Sequence, residues 1–338
     1  MQIVVTVFLA LVLPKIVIAL FLLIDDLLRL GIFSFQKIQG ESIFYPERRK
    51  LLSYTGVGIA FLFTLLFLDG VIFGKYRHKV RHVKLKLKNL PEAFKGYRIV
   101  QISDLHSGSF LNPEKLKPAF ELINKQEADL IVFTGDMVNN LASEFTPFIP
   151  FFQELRAKDG KFSVLGNHDY GQYHQWNSKK EEENNLLRLI EDQRAAGLTL
   201  LRNEHIKISR DNEKLYLIGV ENWGEKPFPQ FGDLDKASKG IPASDVKILL
   251  SHDPTHFDHV VTKHSSQVQL TLSGHTHGMQ FGLDLKNIRW SPVKYRYKKW
   301  TDLYQTGDQY LYVNRGFGVI GYPGRVGIQP EITLIELV

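Results

Sequence analysis

The stretch Leu272-Ser-Gly-His-Thr-His277 ends an apolar run with two histidines, and four other segments of this 338-residue chain follow the same plan. In each of them an apolar run stops and side chains that can bind a metal follow at once: Ile102-Ser-Asp-Leu-His106, Phe133-Thr-Gly-Asp136, Leu165-Gly-Asn-His-Asp169 and Leu250-Ser-His-Asp253. Sites in open α/β sheets form beyond the carboxyl ends of the strands, so these segments are expected to converge. One such residue alone is more often a turn or helix-cap residue, but five such segments predict a metal site.

The spacing within two segments suggests how their side chains reach an ion. Asp104 and His106 are two residues apart, and so are His275 and His277. In extended backbone, residues i and i+2 project to the same side, so each pair is predicted to reach one ion. Glycine precedes the polar residue in three segments, where it allows a sharp turn or a close approach to another group.

The types of ligand narrow the choice of metal. The chain has no cysteine, which excludes disulfide scaffolds and zinc sites built on thiolates. Imidazoles, carboxylates and an amide oxygen suit Mn²⁺, Fe²⁺/³⁺ or Zn²⁺. There are too many ligands for one tetrahedral ion, whereas two ions sharing a carboxylate would use them all. Two such ions, about 3.5–4 Å apart, clamp a phosphoryl group and lower the pKa of a bridging water.

From about residue 90 onward the pattern is that of a soluble α/β domain. Apolar runs predict strands, and helices are predicted at 113–125 and 178–196. The predicted strands are 97–102, 130–133, 162–165, 215–220, 246–250, 269–272, 310–313 and 331–337.

The five segments together resemble the calcineurin-like metallophosphoesterases, over roughly residues 96–338. The resemblance rests on Asp-Leu-His at 104–106, Gly-Asp at 135–136, Gly-Asn-His-Asp at 166–169, His252 and Gly-His-Thr-His at 274–277. The run Val-Asn-Arg-Gly-Phe-Gly at 313–318, with Pro-Glu at 330–331, is similar to the membrane-anchored bacterial branch of that superfamily. That branch includes enzymes that cleave UDP-2,3-diacylglucosamine and other envelope phosphodiesterases. It usually has Gly-Gly-Gln where this chain has Gly-Met-Gln at 278–280, a difference expected to alter the shape of the pocket.

The resemblance implies a fold and a set of roles. The fold is a four-layer α/β/β/α sandwich with a di-metal centre between two sheets, preceded here by N-terminal transmembrane helices. The cofactors implied are two divalent ions, Mn²⁺ first and Fe or Zn as alternatives. His168 matches the residue that protonates the leaving oxygen or neutralises charge on the phosphoryl group, and Asp169 would orient His168 or a neighbouring group. The first ion would be held by Asp104, His106 and His277, the second by Asn167, His252 and His275, with Asp136 bridging both.

Two further residues are predicted to contact substrate. His174 follows the acidic block on what we expect to be a substrate-facing loop. Arg315 can contact a phosphate through its planar guanidinium group.

The first 74 residues predict a membrane anchor. Two apolar runs, at about 3–24 and 51–73, are long enough to cross a bilayer as helices. The basic juxtamembrane segment and first strand would occupy 75–95, and the catalytic domain 96–338. Residues 75–88 carry seven basic and no acidic side chains, which accounts for the net charge of +6. Their alternation predicts an edge strand protected by lysines, and also suits contact with anionic lipid head groups. No nucleic acid is expected, because aromatic stacking residues are not interleaved with these charges.

The function expected is that of a membrane-anchored di-metal phosphoesterase. It would hydrolyse a phosphodiester or pyrophosphate by attack of a metal-bridging hydroxide, with a lipid-linked nucleotide such as UDP-2,3-diacylglucosamine as one substrate. A broad-specificity envelope phosphodiesterase is the alternative within this class. A catalytically inactive, metal-binding membrane scaffold is the alternative from another class.

The location expected is the cytoplasmic (inner) membrane, crossed more than once. Seven basic residues follow the second apolar run, against five in the loop between the two runs. Because the segment after the second run has two more basic residues than the loop, the positive-inside tendency favours a catalytic domain on the cytoplasmic side.

Overall fold

The computed structural model describes residues 2–39, 46–285 and 288–338 of the chain. These residues form two compact units. One consists of residues 1–74 with 321–326, and the other of residues 75–320 with 327–338.

The first unit contains two long helices, α1 (Gln2–Gln39) and α2 (Pro46–Ile72). Both are long and apolar enough to cross a membrane, over Val4–Phe35 and Glu47–Tyr76. Helix α1 extends well beyond the predicted span at 3–24. Asp25, the first residue after the predicted span, lies inside the helix with its side chain buried and 3.3 Å from Arg48 Nε of α2. An opposite charge at this distance offsets part of the cost of burying a carboxylate.

A short return of the chain belongs to the same unit. The ring of Tyr322 stacks on Phe67 of α2 with centroids 5.9 Å apart, and the amide of Arg325 donates to the carbonyl of Gly70 at 3.1 Å. A Cβ atom at Gly70 would lie 2.6 Å from the Arg325 carbonyl oxygen, so only glycine permits this approach.

Within the described residues, the second unit contains two six-stranded sheets and one two-stranded sheet. Its helices are α3 (Lys117–Asn124), α4 (Ile149–Gln153), α5 (Lys179–Ala195), α6 (Leu234–Ser238) and α7 (Thr255–His259). Its strands are β1 (Lys79–Leu85), β2 (Arg98–Ile102), β3 (Leu130–Phe133), β4 (Lys161–Ser163), β5 (Thr199–Leu200), β6 (Glu204–Arg210), β7 (Glu213–Gly219), β8 (Lys247–Leu250), β9 (Leu270–Ser273), β10 (Leu283–Leu285), β11 (Ile288–Trp290), β12 (Asp302–Thr306), β13 (Gln309–Val313) and β14 (Glu331–Leu337).

Each of the two six-stranded sheets contains a set of four parallel strands. The first has the order β1-β14-β2-β3-β4-β5, and the second has the order β12-β13-β9-β8-β7-β6. Strands β2 to β5 run parallel, as do β7, β8, β9 and β13. The central parallel strands β2, β3, β8 and β9 are almost completely buried and mostly apolar, as expected for sheets covered on both faces.

Alternate residues of these strands build separate cores. Ile99 and Ile248 belong to the apolar layer between the two sheets. Val100, the next residue of β2, packs in a second layer together with residues of α3, α4 and α5. Leu249, the next residue of β8, packs in a third layer together with residues of α6 and α7. The order of layers is therefore helices, sheet, sheet, helices, which confirms the four-layer α/β/β/α sandwich predicted from the sequence.

Candidate metal centre

The five predicted segments follow β2, β3, β4, β8 and β9, at the carboxyl ends of parallel strands in both sheets. The structure brings their side chains together as two groups. In each group the metal-binding atoms lie within 4.8 Å of one another: Asp104, His106 and His277 in the first, and Asp136, His252 and His275 in the second. We refer to these six residues and Asn167 as the candidate metal centre.

Asp136 contacts both groups. Its Oδ2 atom lies 3.4 Å from His106 Nε2 in the first group and 3.1 Å from His252 Nε2 in its own. Its Oδ1 atom accepts a hydrogen bond of 2.9 Å from the backbone amide of His168. One carboxylate therefore stands between two clusters of nitrogen and oxygen atoms, the position required of a ligand shared by two ions.

The backbone at these residues is not extended, which corrects one prediction. His275 and His277 fall into different groups, although their spacing predicted that they would reach the same ion. Both residues have left-handed backbone, with φ of 72° and 51°, and so have Asp104 and His106 on the other sheet, at 55° and 48°. Thr276, between the two histidines, is right-handed with φ of −79°, so the backbone here is not a strand and the two-residue rule for strands does not apply. Strained backbone of this kind persists where surrounding structure fixes it, typically at functional sites.

Hydrogen bonds fix which nitrogen of each histidine faces the centre. His106 Nδ1 donates to Asn139 Oδ1 at 3.1 Å, and His252 Nδ1 donates to the Thr134 carbonyl at 2.7 Å. Each bond holds the ring so that Nε2 is left as the metal-binding atom. His275 is turned the other way, since its Nε2 lies 2.8 Å from the Tyr297 hydroxyl and its Nδ1 lies 3.3 Å from His252 Nε2.

Two buried atoms of the centre lack hydrogen bonds within the part of the chain that the structure describes. They are His106 Nε2 and Asn167 Oδ1. A buried polar atom without a partner costs free energy, about 1–3 kcal/mol, unless something else satisfies it. Both are atoms that a divalent cation accepts as ligands, so the residues present fit a pair of metal ions.

The electrostatics of the centre favour cations. Burial would raise the pKa of Asp136, but His252 and His168 beside it hold that pKa well below its ordinary value. Burial would lower the pKa of His252, but the Asp136 carboxylate raises it to about 10. The same negative charge that draws a proton to His252 draws a divalent cation, which displaces that proton on binding.

Glycine is required beside these ligands because other atoms approach closely. A Cβ atom at Gly135 would lie 2.7 Å from both His252 Nδ1 and the amide nitrogen of Gly166. One at Gly166 would overlap the carboxylate of Asp136. The glycines predicted from the sequence therefore serve the close packing of the two loops.

His168 stands against the first group. Its ring meets His106 edge-on, with centroids 4.9 Å apart, and packs on Tyr173 at 4.5 Å. Its Nδ1 donates to the Asn139 carbonyl at 2.8 Å, which leaves Nε2 at the opposite edge of the ring. Burial lowers the pKa of this ring, while the charge of Asp136 works in the opposite direction.

Asp169 organises the backbone of the Asp136 loop. Its carboxylate accepts from the amides of Gly166 at 2.8 Å, Asp136 at 2.9 Å, Met137 at 2.7 Å and Val138 at 3.2 Å. Of the two roles predicted for it, these contacts favour the second, because they hold a neighbouring loop and do not touch the His168 ring.

Aromatic residues that the sequence did not single out line the centre. Tyr297 contacts His275, and the ring of Phe228 meets the same imidazole edge-on at 4.7 Å. Tyr173 accepts a hydrogen bond from Asn167 Nδ2 at 3.0 Å. Phe228 also lines an open cleft of about 650 Å³, together with Lys226, Pro227 and Gln230. Their loops carry no periodic pattern, so the sequence contained no signal for them.

His174 is exposed, and its ring packs edge-on against Trp176 at 4.6 Å. The contacts described for His174 thus lie within its own loop.

Arg315 has a different role from the one predicted. Its side chain is fully buried and lies among three carboxylates: Nη1 and Nη2 bind Asp302 at 2.9 and 2.7 Å, Nη1 binds Glu331 at 2.6 Å, and Nε lies 3.3 Å from Asp284. We call these four residues the Arg315 cluster. Because the guanidinium group already binds three acids, its N–H donors are not available to a phosphate. The structure therefore indicates a structural ion pair at Arg315 and not the predicted substrate contact.

Comparisons with known proteins agree with this geometry. A family model described as "Calcineurin-like phosphoesterase" matches residues 97–279, and one described as "Probable Calcineurin-like phosphoesterase, transmembrane domain" matches residues 1–75.

Three curated proteins illustrate the similarity. The "Uncharacterized metallophosphoesterase YkuE" of Bacillus subtilis (strain 168) is 34% identical over 257 residues, covering 75% of this chain and 83% of that protein. The "Phosphodiesterase YaeI" of Escherichia coli (strain K12) is 29% identical over 247 residues, covering 72% and 82%. The "Transmembrane protein with metallophosphoesterase domain" of Danio rerio is 28% identical over 276 residues, covering 79% of this chain but 59% of its own length.

Proposed function

The chain belongs to the calcineurin-like phosphoesterase family, and we propose that it is a membrane-anchored hydrolase that cleaves phosphodiesters or pyrophosphates with two divalent metal ions. The observation that carries this proposal is the pair of buried ligand groups that meet at Asp136. A site of this kind serves phosphoryl transfer because it places two positive charges beside one phosphoryl group.

The contacts described support six of the residues proposed as ligands, and Asn167 is proposed from the family resemblance and from its buried Oδ1 atom. One ion takes Asp104, His106 and His277, and the other takes Asn167, His252 and His275, with Asp136 shared between them. When bound, such ions polarise a phosphoryl oxygen and lower the pKa of a water towards neutrality. Manganese is our first choice, with iron and zinc as alternatives, because the ligands are imidazoles, carboxylates and an amide without sulfur.

His168 is proposed as the residue that handles the leaving group. The bond from its Nδ1 to the Asn139 carbonyl fixes the ring, so its Nε2 edge is the one that can donate a proton or balance phosphoryl charge. Asp169 is proposed as a positioning residue that holds the Asp136 loop through four backbone amides.

The substrate class proposed is an amphiphilic phosphodiester or pyrophosphate. Two observations support it: a relative is named a phosphodiesterase, and two helices that can span a membrane are part of the same chain. An anchored site meets substrates that partition into the bilayer. UDP-2,3-diacylglucosamine is the most specific candidate, and a broad-specificity envelope phosphodiesterase is the alternative. An inactive scaffold is disfavoured, because the buried ligand atoms and His168 are all in place.

We propose the cytoplasmic membrane as the location, with a multi-pass anchor and a catalytic unit that faces the cytoplasm. The basic segment 75–88 is proposed to contact anionic lipid, although Arg81, Lys84 and Lys88 already pair with acids of the sandwich. A reporter fused after Val338 tests the orientation, since cytoplasmic and exported reporters give opposite signals.

The test of activity uses the whole chain in detergent. The protein is stripped with a chelator, reloaded with Mn²⁺ and assayed on bis-p-nitrophenyl phosphate, a soluble phosphodiester. Metal-dependent turnover supports the enzyme, and its absence at full metal loading supports the scaffold. A parallel assay measures UMP release from UDP-2,3-diacylglucosamine. Turnover of the soluble ester without UMP release would reject the lipid-linked nucleotide and favour the broad phosphodiesterase.

A further inference from the structure

The hairpin formed by β10 and β11 exposes its apolar face to solvent, whereas an ordinary surface hairpin exposes its polar face. In its register Leu283 pairs with Trp290 and Leu285 pairs with Ile288, so these four side chains share one face. Leu283, Leu285 and Ile288 are 50%, 58% and 56% exposed. A two-stranded sheet on a protein normally turns its apolar face to the core and its polar face to water.

The opposite face of the hairpin is charged, and Asp284 on it is buried whereas Arg289 is 48% exposed. Asp284, between the two exposed leucines, pairs with Arg81 of β1 and lies 3.3 Å from Arg315 Nε. Arg289, its partner across the hairpin, binds Asp302 at 2.6 Å. The ion pairs therefore fix the hairpin with its aliphatic side chains facing outward, and a simple rotation cannot bury them.

The residues around this face carry positive charge and aromatic rings. Residues 283–300 contain six basic side chains and one acidic side chain, Asp284, which is buried. Three of the basic side chains pair with acids outside this stretch, namely Arg289, Arg296 and Lys299. Lys294 and Lys298 are exposed. Tyr295 is 77% exposed, and the ammonium group of Lys294 lies over its ring. Met279, just before the hairpin, is 55% exposed. Aliphatic residues surrounded by lysine, arginine and amphipathic rings are the composition of elements that lie in a membrane interface.

We propose that the hairpin 283–290 is a second membrane contact, which inserts its aliphatic face into the head-group region of an anionic bilayer. The other parts of the chain favour a bilayer as the occupant of this face. Only eight residues lie in the chain between Ile72, where α2 ends, and Arg81, the residue that holds the hairpin through Asp284. The basic residues that follow the hairpin, such as Lys294 and Lys298, then pair with lipid phosphates.

This contact has a consequence for the site, which rests on the proposed function. The hairpin begins six residues after His277, and Ser291 at its end donates a hydrogen bond of 2.7 Å to the carbonyl of Gly278. Insertion of the hairpin thus brings the loop of the candidate metal centre to the lipid surface, from which an amphiphilic substrate would enter.

The absence of cysteine from the chain allows a direct test. Leu285→Cys and Ile288→Cys are each labelled with an environment-sensitive fluorophore in the full-length protein, which is reconstituted into vesicles of phosphatidylcholine and phosphatidylglycerol. Quenching is measured with lipids that carry a nitroxide on the acyl chain. The matched control is Leu187→Cys on α5, which is 56% exposed. Nitroxide lipids in both leaflets make the result independent of the direction of insertion.

We expect both hairpin labels to lose about half of their fluorescence, as for a depth of about 5–10 Å, while the label at residue 187 is unaffected. Hairpin labels that behave like the control would overturn the proposal. Shielding already present in detergent and rising with protein concentration would also overturn it, in favour of a second copy of the chain. Equal quenching in pure phosphatidylcholine would overturn the part assigned to the basic residues. Because this readout involves no turnover, it remains decisive even if the proposed enzyme activity is not found.

Discussion

The candidate metal centre and the Arg315 cluster are both buried collections of charge, but they are completed in opposite ways. In the Arg315 cluster one guanidinium is surrounded by three carboxylates of the same chain, at 2.6–3.3 Å. In the candidate metal centre, carboxylates and imidazoles converge without a basic side chain of that kind among the described contacts, and His106 Nε2 and Asn167 Oδ1 have no hydrogen bond.

The difference teaches how to tell a binding site from a structural ion pair. A guanidinium group that is already paired with acids of the same chain is not available to a ligand such as a phosphate. In the candidate metal centre, buried ligand atoms lack hydrogen bonds and the positive charge is a proton on His252 that a metal ion can displace, so this cluster can accept a cation from outside the chain. Burial and charge are common to both clusters, so neither property identifies the functional one.

Asp136→Ala is expected to have the largest effect on the candidate metal centre, because this carboxylate contacts both ligand groups. We expect the variant to lose metal and activity together, with turnover down about 10³-fold or more, since metal ions supply several kcal/mol of transition-state stabilisation. Metal content by mass spectrometry and turnover of bis-p-nitrophenyl phosphate are the two readouts. Wild-type activity in this variant would refute the assignment of the centre.

His168→Ala separates catalysis from metal binding. We expect turnover to fall about 10²–10⁴-fold, the range for loss of one proton-transfer group, while metal content stays at the wild-type level. The control is His82→Ala, an exposed histidine of β1. If His168→Ala also released the metal, the residue would act as a ligand or a structural support, and its catalytic role would have to be abandoned.

Asp169→Asn tests the positioning of the Asp136 loop. The substitution keeps the size of the side chain but places an amide donor against backbone amides that also donate. We expect metal affinity to fall about 10–100-fold, measured by competition with a chelator. The control is Asp235→Asn, whose side chain is 91% exposed. Unchanged affinity in Asp169→Asn would show that the loop keeps its shape without the carboxylate.

Arg315→Met has the smallest expected effect on activity. It tests whether the Arg315 cluster stabilises the fold without contacting substrate. It removes the central cation from three carboxylates, which keep only Arg81 and Arg289 as charge partners among the described residues. We therefore expect the free energy of unfolding to fall by about 3 kcal/mol, seen as a lower Tm in detergent. At temperatures where the variant is folded, KM for the phosphodiester should match the wild type, and the control Arg188→Met should melt normally. A raised KM with an unchanged Tm would restore Arg315 as a phosphate contact.

The sequence predicted the fold where its patterns were regular. Short apolar runs marked the parallel strands, for example β3 and β8, because burial on both faces leaves few polar positions. Strand β6 was missed, since it lies at a sheet edge, where Ile208 is buried and charged residues such as Glu204 and Lys207 are exposed. The hairpin at β10 and β11 was missed for a related reason, because its apolar residues do not face the core.

The sequence predicted which residues form the site, but it did not predict how their side chains are arranged. The positions of Asp104, His106 and the other convergent residues could be inferred because strand ends meet in space. The separation of His275 from His277 could not be derived from their spacing, because the left-handed backbone there departs from a strand. The ion pairs of Arg315 could not be predicted from the sequence either. Asp302 and Glu331 lie on separate strands and come close to Arg315 only in the folded chain.

The number of metal ions bound per chain tests the central claim most directly. Full-length protein in detergent is stripped, titrated with Mn²⁺ and followed by metal analysis and by electron paramagnetic resonance. We predict two ions per chain, close enough for their spins to couple, and activity that rises with the second ion. A single uncoupled ion supporting full activity, or full activity in the stripped protein, would contradict a centre built from two groups that share Asp136.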